Sequence, residues 1–443
     1  MPSWRDIAAA TCLTEVVRSH KQGRPRSVMA ACTANPAALQ AVLEQAVRDG
    51  TVILIESTAG QVNPSGGYSG LTPAGFGRQV YRLANIVGLP QSRLLLGGDH
   101  IGPYPWRREK AERALSKAAE LAVACAAAGY QKIHLDTSSP CIDDPRESDG
   151  SLPLELICRR SAALCRVTEQ AAHENGMAPP WYVIGSDVPL PGGQDLQTTS
   201  VPVSDPAYAR ETLVACKRAF EAVELEDAWQ RVVALVVNTG ADFSPLAVHP
   251  YDRERMQPLA AYIRQEDHLV FEAHSTDFQT PAALSRMVAD HCGILKVGPA
   301  LTYAMREALF GLAAVEEDYL AGRRGVTLSR LPETMERLML ADPRDWQAYY
   351  RGSAAEQKQL RRYAFSDRIR YYWSRPEAQA AVQHLMANLR QHGLPPALLR
   401  KHLPETVRML GGRLQEMDPE RIVREQIATV AAGYNRACDP PLT

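Results

Sequence analysis

Leu94–Trp106 reads LLLGGDHIGPYPW. An aliphatic run ends in two glycines, a carboxylate and an imidazole, and then in Gly102-Pro103 and a cluster of aromatics. An ordinary buried strand closes on a turn signal; one that closes on Asp99-His100 carries chemistry at its end. The same figure, a short β-rich apolar run followed by a longer segment of helical period, recurs along the chain. SVMAACT from Ser27, TVILIES from Thr51, RLLLGGDH, KIHLD, WYVIGSD, VVALVVN, LVFEAHS and ILKVGPA each lead into such a segment. Strands alternating with helices pair in parallel through crossovers. Eight units between Ser27 and Leu320 match the count and size of a (β/α)8 TIM barrel. The rival, a doubly wound open sheet, is disfavoured because ACTANP after the first run offers no GxGxxG.

The sequence predicts a barrel over 1–320 with an N-terminal helical lead-in. A helical extension over 321–443 packs on it, rich in Arg, Gln and Leu and punctuated by Pro and Gly. A chain of 443 residues can bury a large core. A net charge of -1, with no long basic run, points away from nucleic acid and towards a small molecule or a protein partner. Nine scattered cysteines without a CxxC read as reduced thiols. Neither a signal-peptide core nor an apolar run of membrane-spanning length is legible, so a cytoplasmic protein is expected, assembled as a homo-oligomer.

In this fold the site lies where strands end, and alternate residues of a strand face inward. With His100 facing the mouth, Gly98 does too, and the other inward pairs are Leu54/Glu56, His134/Asp136, Gly185/Asp187, Val236/Asn238, Glu272/His274 and Lys296/Gly298. His100 and His274 are the first metal candidates, since a catalytic zinc takes three protein ligands and one open position. The third ligand stays open among Asp136, Asp187 and His249. Asp99 reads as a general acid or base, and Glu272 as a partner that orients an imidazole. Lys296 reads as an ion-pair partner of Glu272 or Asp136; a Schiff-base role is disfavoured. The loop STAGQVNPSGGYSGLTP brings Gln61 and Asn63 to the mouth, and DVPLPGGQ could meet an anion with its backbone N–H groups. Ser275, Thr276 and the N–H groups around Gly298 lie where many such barrels hold phosphate. FSDRIRYYW, Phe365–Trp373, reads as a helix docked on the barrel rim in preference to a direct substrate contact.

IESTAGQVNPSGGYSGLTP, LGGDHIGP, KIHLD, YVIGSDVPLPGG, FEAHSTDFQT, LKVGPALTYAMREALF and SDRIRYYW together resemble the tagatose-bisphosphate aldolase accessory-subunit family of the GatZ/KbaZ type. That family is related to the class II zinc-dependent aldolases. The resemblance implies that Asp99 is an acid/base, that His100 and His274 are ligands, and that a divalent metal is bound: zinc first, with manganese, cobalt or nickel as alternatives. Two departures stand out. Asn238-Thr239-Gly240 replaces the aldolase histidine of strand six, which breaks three-histidine coordination unless His249 swings in, and Asp187 stands where the family usually has Glu. The leading expectation is a metal-dependent 4-epimerase of tagatose and fructose, or of their 6-phosphates, working by retro-aldol cleavage. In it Asp136 and Asp187 join Asp99 and Glu272 as catalytic carboxylates, while Glu56, Asn238 and Lys296 help bind the sugar. The alternatives are a non-catalytic stabilising partner of a class II aldolase subunit, and an aldolase in its own right. A kinase is set aside for want of a GxxxxGK(S/T) loop.

Overall fold

The computed structural model describes residues 7–188, 201–411 and 418–439. Among the described residues there are ten strands: β1 (Val28–Cys32), β2 (Ile53–Thr58), β3 (Leu94–Ile101), β4 (Lys132–Leu135), β5 (Trp181–Ile184), β6 (Val232–Val237), β7 (Asp242–Phe243), β8 (Val248–His249), β9 (Val270–Ala273) and β10 (Cys292–Val297). Eight of them close a barrel in the order β1-β2-β3-β4-β5-β6-β9-β10, with β10 returning to β1. Every neighbouring pair is parallel. The two short strands β7 and β8 form a separate antiparallel hairpin that the strand-then-helix pattern did not foretell.

The strands are buried on both faces, which is why they read as continuous apolar runs rather than alternating ones. Inside the barrel, Val28, Ala30, Leu54, Leu95, Val183, Ala234, Val236, Val270 and Ile294 form one cluster with Leu13 and Val16 of the lead-in helix Ala9–Lys21. That helix therefore seals the N-terminal end. Each fully buried Leu, Ile or Val contributes about 1.5–3 kcal/mol. Outer-face residues join a second, larger core with the surrounding helices.

Several helix starts use one local device. Asn35, Thr72, Asp205 and Thr280 each accept an N–H of the first turn through the side chain, and each is followed by proline. The cap fills an orphan donor, and proline loses nothing at a position whose N–H has no partner. The last strand feeds the helix Pro299–Leu320, beyond which the chain is helical. The final helix, Pro419–Cys438, packs on Pro36–Asp49, Pro281–Ala289 and Pro299–Leu320. The Ser27 N–H donates to the Cys438 carbonyl at 2.9 Å, tying the end of the extension to the start of β1.

Candidate active site at the barrel mouth

The register of β3 corrects one expectation. Leu95 belongs to the interior cluster, and a Cβ on Gly97 would stand 2.8 Å from Glu56 Oε1, so Gly97 and Asp99 face inward while Gly98 faces Ile101 and Tyr130. His100 nevertheless reaches the mouth. Gly98 pairs with Ile133 but Ile101 with Leu135, so β3 holds one residue more than β4 there, and His100 sits at φ 48°. Such a bulge turns two consecutive side chains to the same side. Gly97 leaves room for the Glu56 carboxylate. A Cβ on Gly102 would lie 1.6 Å from the Asp136 carbonyl oxygen, so only glycine lets the ends of β3 and β4 approach so closely.

Three imidazoles meet at this floor. The ring centroids of His100, His134 and His274 are 5.2, 5.1 and 4.8 Å apart in pairs. Each ring has one nitrogen against a carboxylate: His100 Nδ1 at 2.7 Å from Asp136, His134 Nδ1 at 3.0 Å from Asp99, and His274 Nε2 at 3.0 Å from Glu272. The backbone N–H of His100 lies 3.3 Å from the same His134 Nδ1, and His134 Nε2 is buried without a hydrogen-bond partner. Metal-binding histidines are oriented by a polar contact on one ring nitrogen and turn the other to the ion, which the contacts at Nδ1 and the unpartnered Nε2 fit.

Below the rings lies a dry ion network. Lys132 Nζ is 2.8 Å from Glu56 and 2.6 Å from Glu272, with all three side chains fully buried. Lys296 pairs with the other Glu56 oxygen and with Asp99 at 3.0 Å. Glu272, at 3.9 Å, completes the set of Lys296 partners, so the expected ion pair with Glu272 is present while Asp136 pairs with His100 instead. Burial opposes charge on Lys296, but Asp99, Cys32 and Glu56 outweigh it and raise its pKa well above the usual lysine range. Burial also works against the Asp99 carboxylate, yet His100 and Lys296 outweigh it and hold its pKa well below the usual carboxylate range. Burial lowers His274 to about 4 and keeps it neutral, the form that binds a metal.

Four carboxylates (Glu56, Asp99, Asp136, Glu272) face two ammonium groups across this floor, and against burial Asp99 and Asp136 raise the pKa of His100, so negative charge outweighs positive. A cation would offset the excess. Ligand atoms of Asp99, His134, Glu272 and His274 lie within 4.8 Å of one another. The residues fit a metal.

A family model described as "D-tagatose-1,6-bisphosphate aldolase subunit GatZ/KbaZ-like" matches residues 13–439. The chain belongs to this family. It is similar, at 39% identity and TM-score 0.82, to a crystal structure of "a probable tagatose 6 phosphate kinase" from Sinorhizobium meliloti 1021, covering 93% of this chain and 100% of that one. Two more distant likenesses are the YdjI aldolase of Escherichia coli K12 (10% identity, TM-score 0.43, 88% and 97% covered) and a fructose-bisphosphate aldolase of Campylobacter jejuni (13%, 0.44, 87% and 94%). The family places the chain in carbohydrate metabolism.

Within this GatZ/KbaZ-like chain, a cavity of about 670 Å³ opens above the floor. Asp99, His100, His274, Lys296, Gln61 and Ser275 line it, with Gly298 and Asp277 at one side. Glu56 and Glu272 lie beneath the floor, fully buried, and Asp136 braces His100. His249 does not swing in: it sits on the β7–β8 hairpin and lines a different hollow, beside Asp252 and Arg253. The third imidazole at the floor is His134, which was placed on the inward face but not read as a ligand. Its signal was the alternation in KIHLD, which points Lys132 and His134 inward together. Asp187 and Asn238 bond each other and Ser204 rather than line this cavity. The loop beyond Asp187, from residue 189, lies outside the described residues.

Asn63 spends its amide on the loop, donating to Ala59 and accepting from Ser65 and Gly67. Thr276 is buried, its hydroxyl on the Lys296 carbonyl at 2.6 Å and beside Tyr434. The N–H groups of Gly298 and Ala300 already donate to Asp277 Oδ1, at 3.0 and 2.8 Å. Phosphate therefore cannot use them, as the sequence reading had suggested. FSDRIRYYW does dock on the rim, but Arg368, Arg370, Tyr371 and Trp373 also form a wall of the cavity. Among the described residues no helix is long and apolar enough to cross a membrane.

Proposed function

We propose that this protein is a metal-dependent 4-epimerase of a ketohexose or its 6-phosphate, acting by retro-aldol cleavage. The observation that carries the reading is the triangle of His100, His134 and His274, each oriented by its own carboxylate. These imidazoles, with Asp99 beside them, would hold a divalent ion, zinc or else manganese, cobalt or nickel. Such an ion supplies Lewis acidity at the ketose carbonyl and its neighbouring hydroxyl.

The chain's own residues do the rest. Asp99, kept ionised by Lys296 at 3.0 Å, accepts the proton of the C4 hydroxyl. The C3–C4 bond breaks, its electron pair passing into the ketone-bearing fragment, and C4 becomes an aldehyde. A cavity of about 670 Å³ leaves a three-carbon aldehyde room to turn over and present its other face. The C3–C4 bond re-forms with C4 inverted, and Asp99 returns the proton to O4. Direct removal of the C4 hydrogen is disfavoured because that hydrogen is not alpha to the C2 ketone. Gln61, whose side chain bonds the Cys32 carbonyl at 3.2 Å, and Ser275 would contact the sugar's hydroxyls.

The family's description as an aldolase subunit favours a second reading, in which the chain stabilises a separate catalytic aldolase. One experiment separates them. The purified chain alone is incubated with fructose 6-phosphate or fructose carrying deuterium at C4, and the products are followed by NMR. The proposal predicts tagatose-series product with deuterium retained, and none from His134→Ala. Loss of deuterium would overturn the cleavage route, release of free triose without epimer would make the chain an aldolase, and no turnover without an aldolase partner would favour the stabiliser.

A further inference from the structure

The cavity changes sign from floor to rim. Its upper wall carries Arg107, Arg108, Arg368 and Arg370, and among the described residues none of the four forms an ion pair with a carboxylate. Arg344, also on this wall, is already neutralised by Asp342 at 2.7 Å. Three of the four lie over tyrosine rings: Arg107 over Tyr104 at 4.1 Å, Arg368 over Tyr349 at 3.1 Å and Arg370 over Tyr371 at 4.5 Å. Stacking fixes a guanidinium by its face and leaves its N–H edge to a ligand.

Arg368 is the telling member. It is only 3% exposed, donates to the Asp345 carbonyl at 2.8 Å, and leaves Nε buried with no partner. A buried charge with an empty donor is costly unless an anion meets it. Arg370 spends one terminal nitrogen on the Ser366 and Asp367 carbonyls and the other on the Tyr371 hydroxyl at 2.9 Å, and neither Nε nor its second NH2 hydrogen has a bond partner among the described residues. Besides Asp99, which Lys296 neutralises at 3.0 Å, two carboxylates face the same cavity, Asp277 and Asp345. Four guanidiniums against these two leave two positive charges, the complement of a dianion. The usual place for phosphate in such a barrel, the amides at the start of the helix after the last strand, is filled here by Asp277.

We propose that the arginines around Arg368 and Arg370 form a phosphate-ester subsite, so that the ligand of this mouth is a sugar phosphate lying with its phosphate on the extension and its hydroxyl end on the imidazole floor. The orientation rests on the reading of the floor as a ketose site; the subsite itself does not. The test is equilibrium binding by calorimetry on the full chain, with D-glucitol 6-phosphate, D-glucitol and D-gluconate as probes. None of these has a carbonyl to react, so binding is read apart from turnover. D-glucitol 6-phosphate is expected to bind at least thirtyfold tighter than D-glucitol, with D-gluconate gaining less than threefold. Arg370→Gln should weaken the phosphate ester at least tenfold and leave D-glucitol unchanged. If that variant does not fold, Arg108→Ala, at an exposed position, carries the test with an expected threefold loss. Equal binding of the first two probes, D-gluconate binding as tightly as the phosphate, or an equal loss for both sugars would overturn the subsite. Phosphate-selective binding without any epimerisation would leave the subsite standing and remove the proposed activity.

Discussion

At the scale of single residues, His134 and His249 make opposite predictions. Replacing His134 by alanine removes one corner of the imidazole triangle, so metal per chain, measured by plasma mass spectrometry, should fall at least tenfold. His249→Ala, on the hairpin, should leave it unchanged. Equal loss in both would contradict the assignment. Gly97→Ala sets a Cβ 2.8 Å from the Glu56 carboxylate and should lower stability by about 1–3 kcal/mol in urea unfolding; no change would mean that Glu56 has room to move. Asp277 gives a pH signature. Burial raises its carboxyl from the usual 3.8 to about 6, so the folded state binds a proton that the unfolded state has already lost. Its contribution to stability therefore falls as pH rises from about 4 to about 6 and stays low above that. Asp277→Asn keeps an oxygen for the Gly298 and Ala300 N–H groups but carries no charge. The variant should gain on the wild type across that window, by on the order of 3 kcal/mol, and parallel melting curves against pH would refute this. Asp99, His100 and His274 were legible because their residue types are rare at strand ends. His134 was not, because a lone imidazole inside KIHLD looks like a satisfied core residue until its neighbours are known.

At the scale of elements, apolar runs followed by segments of helical period made the eight strands and the helices after them readable, since both signals are local. The β3 register was not. A bulge depends on how β3 pairs with β4, which no single strand encodes, and strict alternation put Gly98 where Gly97 belongs. The network under the floor was equally hidden, because it joins β2, β4, β9 and β10 through Glu56, Lys132, Glu272 and Lys296. Lys132→Met would fill the space of the lysine and leave the buried Glu56 and Glu272 carboxylates to share Lys296 alone, at a cost of about 3–5 kcal/mol. Chemical unfolding measures this directly, and a loss below about 1 kcal/mol would mean that the network contributes little.

At the scale of the whole molecule, the extension is both a structural and a chemical part of the mouth. One continuous core includes barrel residues such as Phe271 and Leu295 and extension residues such as Leu385, Ile427 and Tyr434. A chain ending at residue 320 should therefore aggregate rather than melt cooperatively; a soluble, cooperatively melting barrel would show that the extension only decorates it. The change in composition after residue 320 was visible in the sequence, but the part it plays in the cavity wall was not, because long-range docking leaves no periodic trace. The account as a whole stands on metal and sugar meeting at one floor. The most direct test strips the protein with chelator, adds back zinc or manganese in steps, and follows conversion of fructose 6-phosphate to its C4 epimer. The account predicts no turnover when stripped, full return at about one ion per chain, and none at any ratio in His134→Ala. Turnover that survives stripping, or a protein that binds no ion, would contradict it.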